Sequence, residues 1–294
     1  MIFGIIGNIY KPELPKVVCM LIKDLNKKKV SYLVEKTLAR HIQKECSFNL
    51  PKSLQADYGK LLKNSDFILS IGGDGTFLST AKLVGDKNIP IIGVNLGKLG
   101  FLAELPTDQT SGFLTDILKN KYKIEERTVL EASAKPDGSK KIYGLNEIVI
   151  SQGGNVKTIE IQAYYNDQLV YGYLADGLIV STPTGSTGYS LSAGGPIVSP
   201  KSDVIILSPM YPHTLTARTV ILPDSGVVKV KVISKVPINV VADVNNTIRL
   251  KSPAEIEIKK AHYKIKLAKK PDSNYFKVLN TKLLWGEDIR NQKR

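Results

Sequence analysis

Phe67-Ile68-Leu69-Ser70-Ile71-Gly72-Gly73-Asp74-Gly75-Thr76-Phe77-Leu78 is the stretch on which the fold of this chain turns. Residues 67–71 form an apolar run short enough for a strand covered on both faces. The run breaks into glycines, and a helical pattern over 77–84 begins at once. A strand, a glycine turn and a helix in succession belong to an open α/β sheet, whose ligands sit beyond the carboxyl ends of the strands. Glycine lets backbone N–H groups approach an anion closely, and the following helix directs its positive end at the same place. Thr76 is placed to cap that helix. Asp74 does not suit a pure phosphate site, because a carboxylate repels phosphate. It suits a group that takes a proton from an attacking hydroxyl or binds a divalent cation. The same residues also suit a tight turn whose Asp caps the helix.

On either side of this stretch, strand-like and helix-like segments alternate. Strands are expected at 2–7, 30–34, 67–71 and 89–94, and helices at 16–27, 35–43, 77–84 and 107–119. The alternation predicts an N-terminal α/β domain, 1–121, with a Rossmann-like parallel sheet covered by helices. From residue 122 the strands follow one another through turns, at Pro136-Asp137-Gly138 and Asn166-Asp167. Strands are expected at 159–165, 168–173, 204–207, 227–233, 238–242 and 254–259. They predict a mostly β, β-sandwich-like C-terminal domain over 122–268, with 269–294 as a tail packing back on the first domain.

At 294 residues and 43% hydrophobic, the chain suits a folded protein of two domains. No apolar run approaches the roughly 18 residues of a membrane span. Residues 1–8 read as a buried strand without a leader's basic flank, so a cytoplasmic location is expected. Cys19 and Cys46 read as ordinary buried thiols of a reducing compartment. His41, His213 and His262 are scattered, and no metal-ligand spacing appears. The formal charge of +14 draws anions, or is only a solvated basic surface. Lys259, Lys260, Lys264, Lys266, Lys269 and Lys270 alternate with apolar residues as an exposed strand face would, unlike a nucleic-acid arm.

Three further segments carry chemistry. Gly93-Val94-Asn95-Leu96-Gly97-Lys98-Leu99-Gly100-Phe101-Leu102 is a second glycine loop after a strand; Phe101 offers a wall to a base, or packs in the core. Asn146-Glu147, before Ile148-Val149-Ile150, offers donors and acceptors for a sugar diol, or an ordinary cap. Asp176, a polar contact or a turn residue, opens a strand that runs into Pro183-Thr184-Gly185-Ser186-Thr187-Gly188-Tyr189-Ser190-Leu191-Ser192, rich in hydroxyls and bare amides that suit phosphate and ribose oxygens, or a structural loop. Tyr189 is able to stack on a base. The patterns of a P-loop, a GxGxxG dinucleotide fold and a protein kinase are all missing.

Taken together, these segments resemble the NAD kinase family. Gly72-Gly73-Asp74-Gly75 is shared with 6-phosphofructokinases and diacylglycerol-type lipid kinases. Asn146-Glu147, the stretch from Asp176 to Pro196, and Tyr275-Phe276-Lys277-Val278-Leu279-Asn280-Thr281-Lys282-Leu283-Leu284-Trp285 are similar to the NAD kinases themselves. The resemblance implies transfer of the γ-phosphate of ATP to the 2′-hydroxyl of the adenosine ribose of NAD, with a divalent cation, Mg²⁺, as cofactor. It implies Asp74 as general base, and Gly72, Gly73, Gly75 and Thr76 around the phosphates. Asn146 and Glu147 would contact a ribose, with Asp176, Thr187, Gly188, Tyr189, Ser190, Leu191 and Ser192 lining the NAD site. Lys157 falls near the dinucleotide, and Asn245 stands where many members carry Gln. His213 matches a family segment as a structural residue. NAD and ATP are the implied partners, without nucleic acid or membrane, in a homo-oligomer (dimer or tetramer). A lipid kinase would need an apolar opening for acyl chains, and a non-catalytic dinucleotide sensor would bind NAD without making NADP.

Overall fold

The computed structural model describes residues 1–46, 48–97, 99–135, 140–153, 158–243 and 246–284. The chain divides into two units, Met1–Glu126 with Ile265–Arg294, and Arg127–Lys264.

In the first unit, five parallel strands lie in the order Ile91–Asn95, Phe67–Gly72, Ile2–Gly7, Ser31–Glu35, Gln55–Ala56. The sheet starts at Ile2–Gly7 and grows one way, then reverses and grows the other way from Phe67–Gly72. The reversal puts the carboxyl ends of these two strands beside the crevice that open α/β sheets use for ligands. Leu267 pairs in parallel with Ile91, which brings the returning chain onto the sheet.

Side-chain alternation sets the layers. Phe3, Ile5, Leu69, Ile71, Ile92 and Val94 share one buried cluster with apolar residues of the helices Leu14–Lys27, Lys36–Cys46 and Thr110–Leu118. The other face takes the helices Tyr58–Asn64 and Asp74–Val84. Ser70 Oγ lies 2.9 Å from Thr80 Oγ1 there, and a Cβ on Gly4 would strike Leu61. Covered on both sides, Phe67–Gly72 is buried at every residue, which explains its mainly apolar run, with Ser70 satisfied by Thr80. The helix Tyr58–Asn64 was not expected. It is short, with only Leu61 and Leu62 buried, and Asp57 caps it by accepting the Lys60 N–H at 2.9 Å.

The second unit is antiparallel. One sheet runs Val220–Pro223, Val204–Met210, Gly177–Ser181, Glu147–Gln152, Ile238–Ala242, Asn246–Leu250. A second layer contains Gln168–Ala175, Ile159–Tyr165, Val228–Ile233 and the start of Ala254–Lys269, with the hairpin of Lys123–Lys135 and Lys141–Gly144. Inner residues of both layers, among them Ile148, Leu178 and Val240 with Ile161, Val230 and Ile256, form one buried cluster. Asn166 and Asp167 turn the Ile159–Ala175 hairpin with φ of 47° and 65°, the left-handed pair that a two-residue turn requires. The turn expected at 136–138 lies outside the described residues.

Two expectations need correction. Cys19 is buried, but Cys46 is exposed at the end of its helix. The lysines of 259–270 are not all a solvated face. Lys260 Nζ reaches the buried Asp224 at 2.7 Å. Lys269 is only 5% exposed, lying 3.3 Å from Glu104 Oε1 and 3.2 Å from Glu125 Oε2. A period-two pattern assigns every charge to solvent, whereas paired carboxylates draw an ammonium inside. Lys269→Met should therefore leave Glu104 and Glu125 without the ammonium they share, with Lys123 3.7 Å from Glu125. Urea unfolding is expected to show a loss on the order of 3 kcal/mol, mostly recovered when Glu104→Gln and Glu125→Gln are added. A loss below about 0.5 kcal/mol would show the cluster to be energetically neutral.

Candidate active site

The glycine turn positions Asp74 differently from a cap. Gly73 is the N-cap of Asp74–Val84 and Asp74 is its first residue. Thr76 lies inside the first turn and returns its hydroxyl to the Gly73 N–H at 3.4 Å, so it is not the cap. The Asp74 side chain leaves its own helix and grips the loop after Ile91–Asn95. Oδ2 accepts the Phe101 N–H at 2.9 Å, and Oδ1 accepts the Leu102 and Ala103 N–H groups, each at 3.0 Å. Lys282 Nζ, on the helix Tyr275–Leu283, stands 3.1 Å from Oδ2 and 4.3 Å from the centre of the Phe101 ring.

Burial works to raise the Asp74 carboxyl, but the amides of Ala103, Phe101 and Leu102 and the Lys282 ammonium outweigh it and hold it below the usual carboxylate range. The group is ionised at neutral pH, and its side chain is 29% exposed. Gly100 permits the grip, because a Cβ there would lie 2.1 Å from Asp74 Oδ1. A Cβ on Gly73 or Gly75 would meet no atom, so the backbone at these positions is open to an anion. Phe101 is half-buried against Tyr275, with ring centres 6.5 Å apart, and so is neither a core residue nor a bare wall.

The β-rich unit repeats the device with another aspartate. Asp243 accepts the N–H groups of Leu145 at 2.7 Å, Asn146 at 2.8 Å and Glu147 at 3.1 Å. With its backbone clamped, the pair turns its side chains elsewhere. Asn146 Oδ1 and Glu147 Oε2 are buried with no hydrogen-bond partner among the described residues. Leaving such an atom unsatisfied costs about 1–3 kcal/mol, which marks a place where a ligand or water completes the structure. The Tyr189 N–H donates to the Glu147 carboxyl. Burial first, and then the charge of Asp243, pushes Glu147 up to about 8.

The turn Thr184–Thr187 and the helix Tyr189–Ser192 lie against this pair. A Cβ on Gly188 would come 2.9 Å from Glu147 Oε2. The Tyr189 ring is 44% exposed, Ser192 is exposed, and Thr187 and Leu191 are half-buried. Ser190 is fully buried with its hydroxyl 3.0 Å from Ser208 Oγ, so it holds the turn and does not face outward. The Asp176 N–H donates to Met210 at 3.0 Å, and Met210 lines a cavity of about 240 Å³ with Tyr189 and Ser192. His213 sits in an exposed loop and donates its N–H to Leu174 at 2.8 Å. Lys157, Asn245 and Trp285 lie outside the described residues.

Asp243 and Lys282 were not expected among the functional residues. Asp243 carries a faint local signal, an acidic turn residue directly after a strand. Lys282 has none, because its partner is 208 residues away. Among the described residues, no group of three or more His, Cys, Asp or Glu side chains is arranged to hold a metal.

Comparison with known proteins was made on this geometry. Residues 3–122 match the family model of the ATP-NAD kinase N-terminal domain, and 145–270 that of the ATP-NAD kinase C-terminal domain. A NAD kinase of Flavobacterium psychrophilum is 35% identical over 294 residues, covering 99% of this chain and 100% of the relative. One from Sulfurimonas denitrificans is 41% identical over 233 residues, 79% of this chain and 82% of the relative. Among solved structures, a yeast NADH kinase complexed with NADH has a TM-score of 0.89 at 25% identity, covering 99% of this chain and 89% of that one. A NAD kinase from Archaeoglobus fulgidus in complex with ATP has a TM-score of 0.76 at 25% identity, covering 97% and 100%.

Glu147 gives a prediction in pH. Its folded pKa lies above its unfolded one, so its proton contributes stability that is complete below the ordinary carboxylate range and is lost as pH rises through about 8. Without ligand, urea unfolding of the native protein should lose stability relative to Glu147→Gln between about pH 5 and pH 9, by on the order of a few kcal/mol. Parallel pH curves for the two proteins would show that Glu147 is charged throughout.

Proposed function

The chain belongs to the NAD kinase family, and on that premise we propose that Asp74 is the base of its phosphoryl transfer. The protein is an ATP-dependent phosphotransferase that moves the γ-phosphate of ATP to the 2′-hydroxyl of the adenosine ribose of NAD, making NADP. One observation carries the role of Asp74: a carboxylate ionised at neutral pH and partly open to solvent, fixed by three amides at the carboxyl end of a parallel strand.

In this reading the 2′-oxygen forms a bond to the γ-phosphorus as the bond to the β-phosphate oxygen breaks, and that electron pair leaves with ADP. The hydroxyl proton passes to Asp74 and then to water. Such chemistry asks a protein mainly for positioning and charge. Gly72, Gly73, Gly75 and Thr76 hold donor phosphates, supported by the helix N-terminus and the open space at Gly73 and Gly75.

Asn146 and Glu147 hold a ribose, supported by their unpartnered buried oxygens. Tyr189 offers its exposed ring to a base, while Asp176, Thr187, Gly188, Leu191 and Ser192 line the dinucleotide and Ser190 braces them. Mg²⁺ brought in with ATP would supply charge that offsets the transferred group. A reducing, cytoplasmic setting agrees with two free cysteines. A homo-oligomer agrees with exposed Leu169 and Leu174 on the sheet-edge strand Gln168–Ala175.

Asp74→Asn should keep NAD affinity within about threefold and lower turnover by about 100-fold or more, read by coupled NADP formation. Its melting temperature is measured alongside, because the amide still accepts the loop N–H groups through one oxygen only. Near-native turnover would take the base role from Asp74.

A further inference from the structure

An ionised carboxylate has about four lone-pair directions, and at Asp74 all four are taken. Oδ1 accepts from Leu102 and Ala103, and Oδ2 from Phe101 and Lys282. Three of these donors are backbone amides of one loop, itself closed by the Gly100 N–H on Ala103 O at 3.2 Å. The fourth is the tip of a long side chain that is 31% exposed. A hydroxyl that passes its proton to Asp74 needs one of the four directions. Only Lys282 is able to give one up without unmaking backbone structure.

We propose that Lys282 is a catalytic residue. It occupies Asp74 Oδ2 in the substrate-free enzyme, cedes that place to the acceptor hydroxyl, and transfers its ammonium to the oxygens of the moving phosphoryl group. This rests on the reading of Asp74 as base. Three observations support it. Nζ stands 3.1 Å from the oxygen that takes the proton, so an incoming nucleophile arrives beside the ammonium and the phosphoryl group follows it there. The Phe101 ring attracts the cation independently at 4.3 Å, which keeps it in the site once it leaves the carboxylate.

The helix that carries Lys282 is also anchored. Asn274 Oδ1 caps it through the Phe276 N–H at 2.9 Å, Ser273 Oγ donates to Glu104 at 2.6 Å, and Leu279 is fully buried. The side chain therefore moves on a fixed base. The exchange acts in both directions. A carboxylate that loses its cation binds a proton more strongly, and a phosphoryl group gaining charge at its oxygens receives the cation. No proton leaves the lysine, and the bonds made and broken are those of the transfer itself.

The test uses the full chain with Lys282→Met, Lys282→Arg, Asp74→Asn and the Asp74→Asn/Lys282→Met double variant. For each, kcat and KM are measured for both substrates, together with the melting temperature. Lys282→Met should lower kcat about 100-fold with the KM for NAD within about threefold of native, as for an interaction made in the transition state. Lys282→Arg should regain at least about tenfold of that loss, since charge and reach are kept. The double variant should be no more than about threefold slower than the slower single one, because the two groups act as a unit. Near-native kcat in Lys282→Met, with Asp74→Asn inactive, would refute the role of Lys282 and leave the base in place. Equal losses in the Met and Arg variants with a lowered melting temperature would reduce Lys282 to a structural anchor and overturn the proposal. Near-native activity in Asp74→Asn would instead remove the base reading.

Discussion

A carboxylate that accepts three successive backbone N–H groups is the contact on which the loops of both candidate sites depend. Asp74 makes it with residues 101–103 and Asp243 with residues 145–147. Hydrogen bonds to a charged acceptor are shorter and about twice as strong as neutral ones, so each cluster fixes a loop that no regular ladder would hold. The two units use the grip in opposite ways. In the α/β unit the gripping carboxylate is the group proposed to take the proton. In the β-rich unit the gripped segment carries the side chains proposed to hold a ribose, and its aspartate holds the backbone and raises the pKa of Glu147.

The surroundings then give two carboxyl groups opposite protonation. Amides and an ammonium keep Asp74 ionised, fit to accept a proton. Burial and a neighbouring negative charge keep the proton on Glu147 at neutral pH, so it offers a donor as well as an acceptor. Two chemically similar side chains hold different protonation states because three N–H groups and an ammonium face one, while burial and Asp243 act on the other. The surplus of positive charge is likewise more specific than its total of +14 suggests: Lys260, Lys269 and Lys282 are each committed to carboxylates.

Much of this was legible in the residues. Phe67–Gly72 is read from a mainly apolar run because helices cover both of its faces. Asn166 and Asp167 are read as a turn because few other residues adopt the left-handed backbone they show. The family itself was legible in Asn146-Glu147 and in the hydroxyl-rich stretch after Asp176. Hidden features are those made by distant partners. Lys269 is inside because Glu104 and Glu125 meet it, and periodicity carries no trace of that. Ser190 looked like its neighbours until Ser208 claimed its hydroxyl. The true cap of the helix Asp74–Val84, Gly73, lacks the side chain that capping rules look for.

The α/β unit is discontinuous, made of Met1–Glu126 and Ile265–Arg294 with the whole β-rich unit between them. During synthesis from the N-terminus, Asp74 and its amide loop emerge from the ribosome early. The segment that pairs with Ile91, buries Lys269 and carries Lys282 emerges only after the intervening unit. At about 5–20 residues per second, that gap lasts on the order of ten seconds or more. For that interval the nascent α/β unit exposes the Ile91 edge of its sheet and leaves Glu104 and Glu125 without Lys269. The carboxylate at the glycine turn waits through the same interval for its lysine, so the Asp74–Lys282 pair forms only after the whole intervening unit has been made.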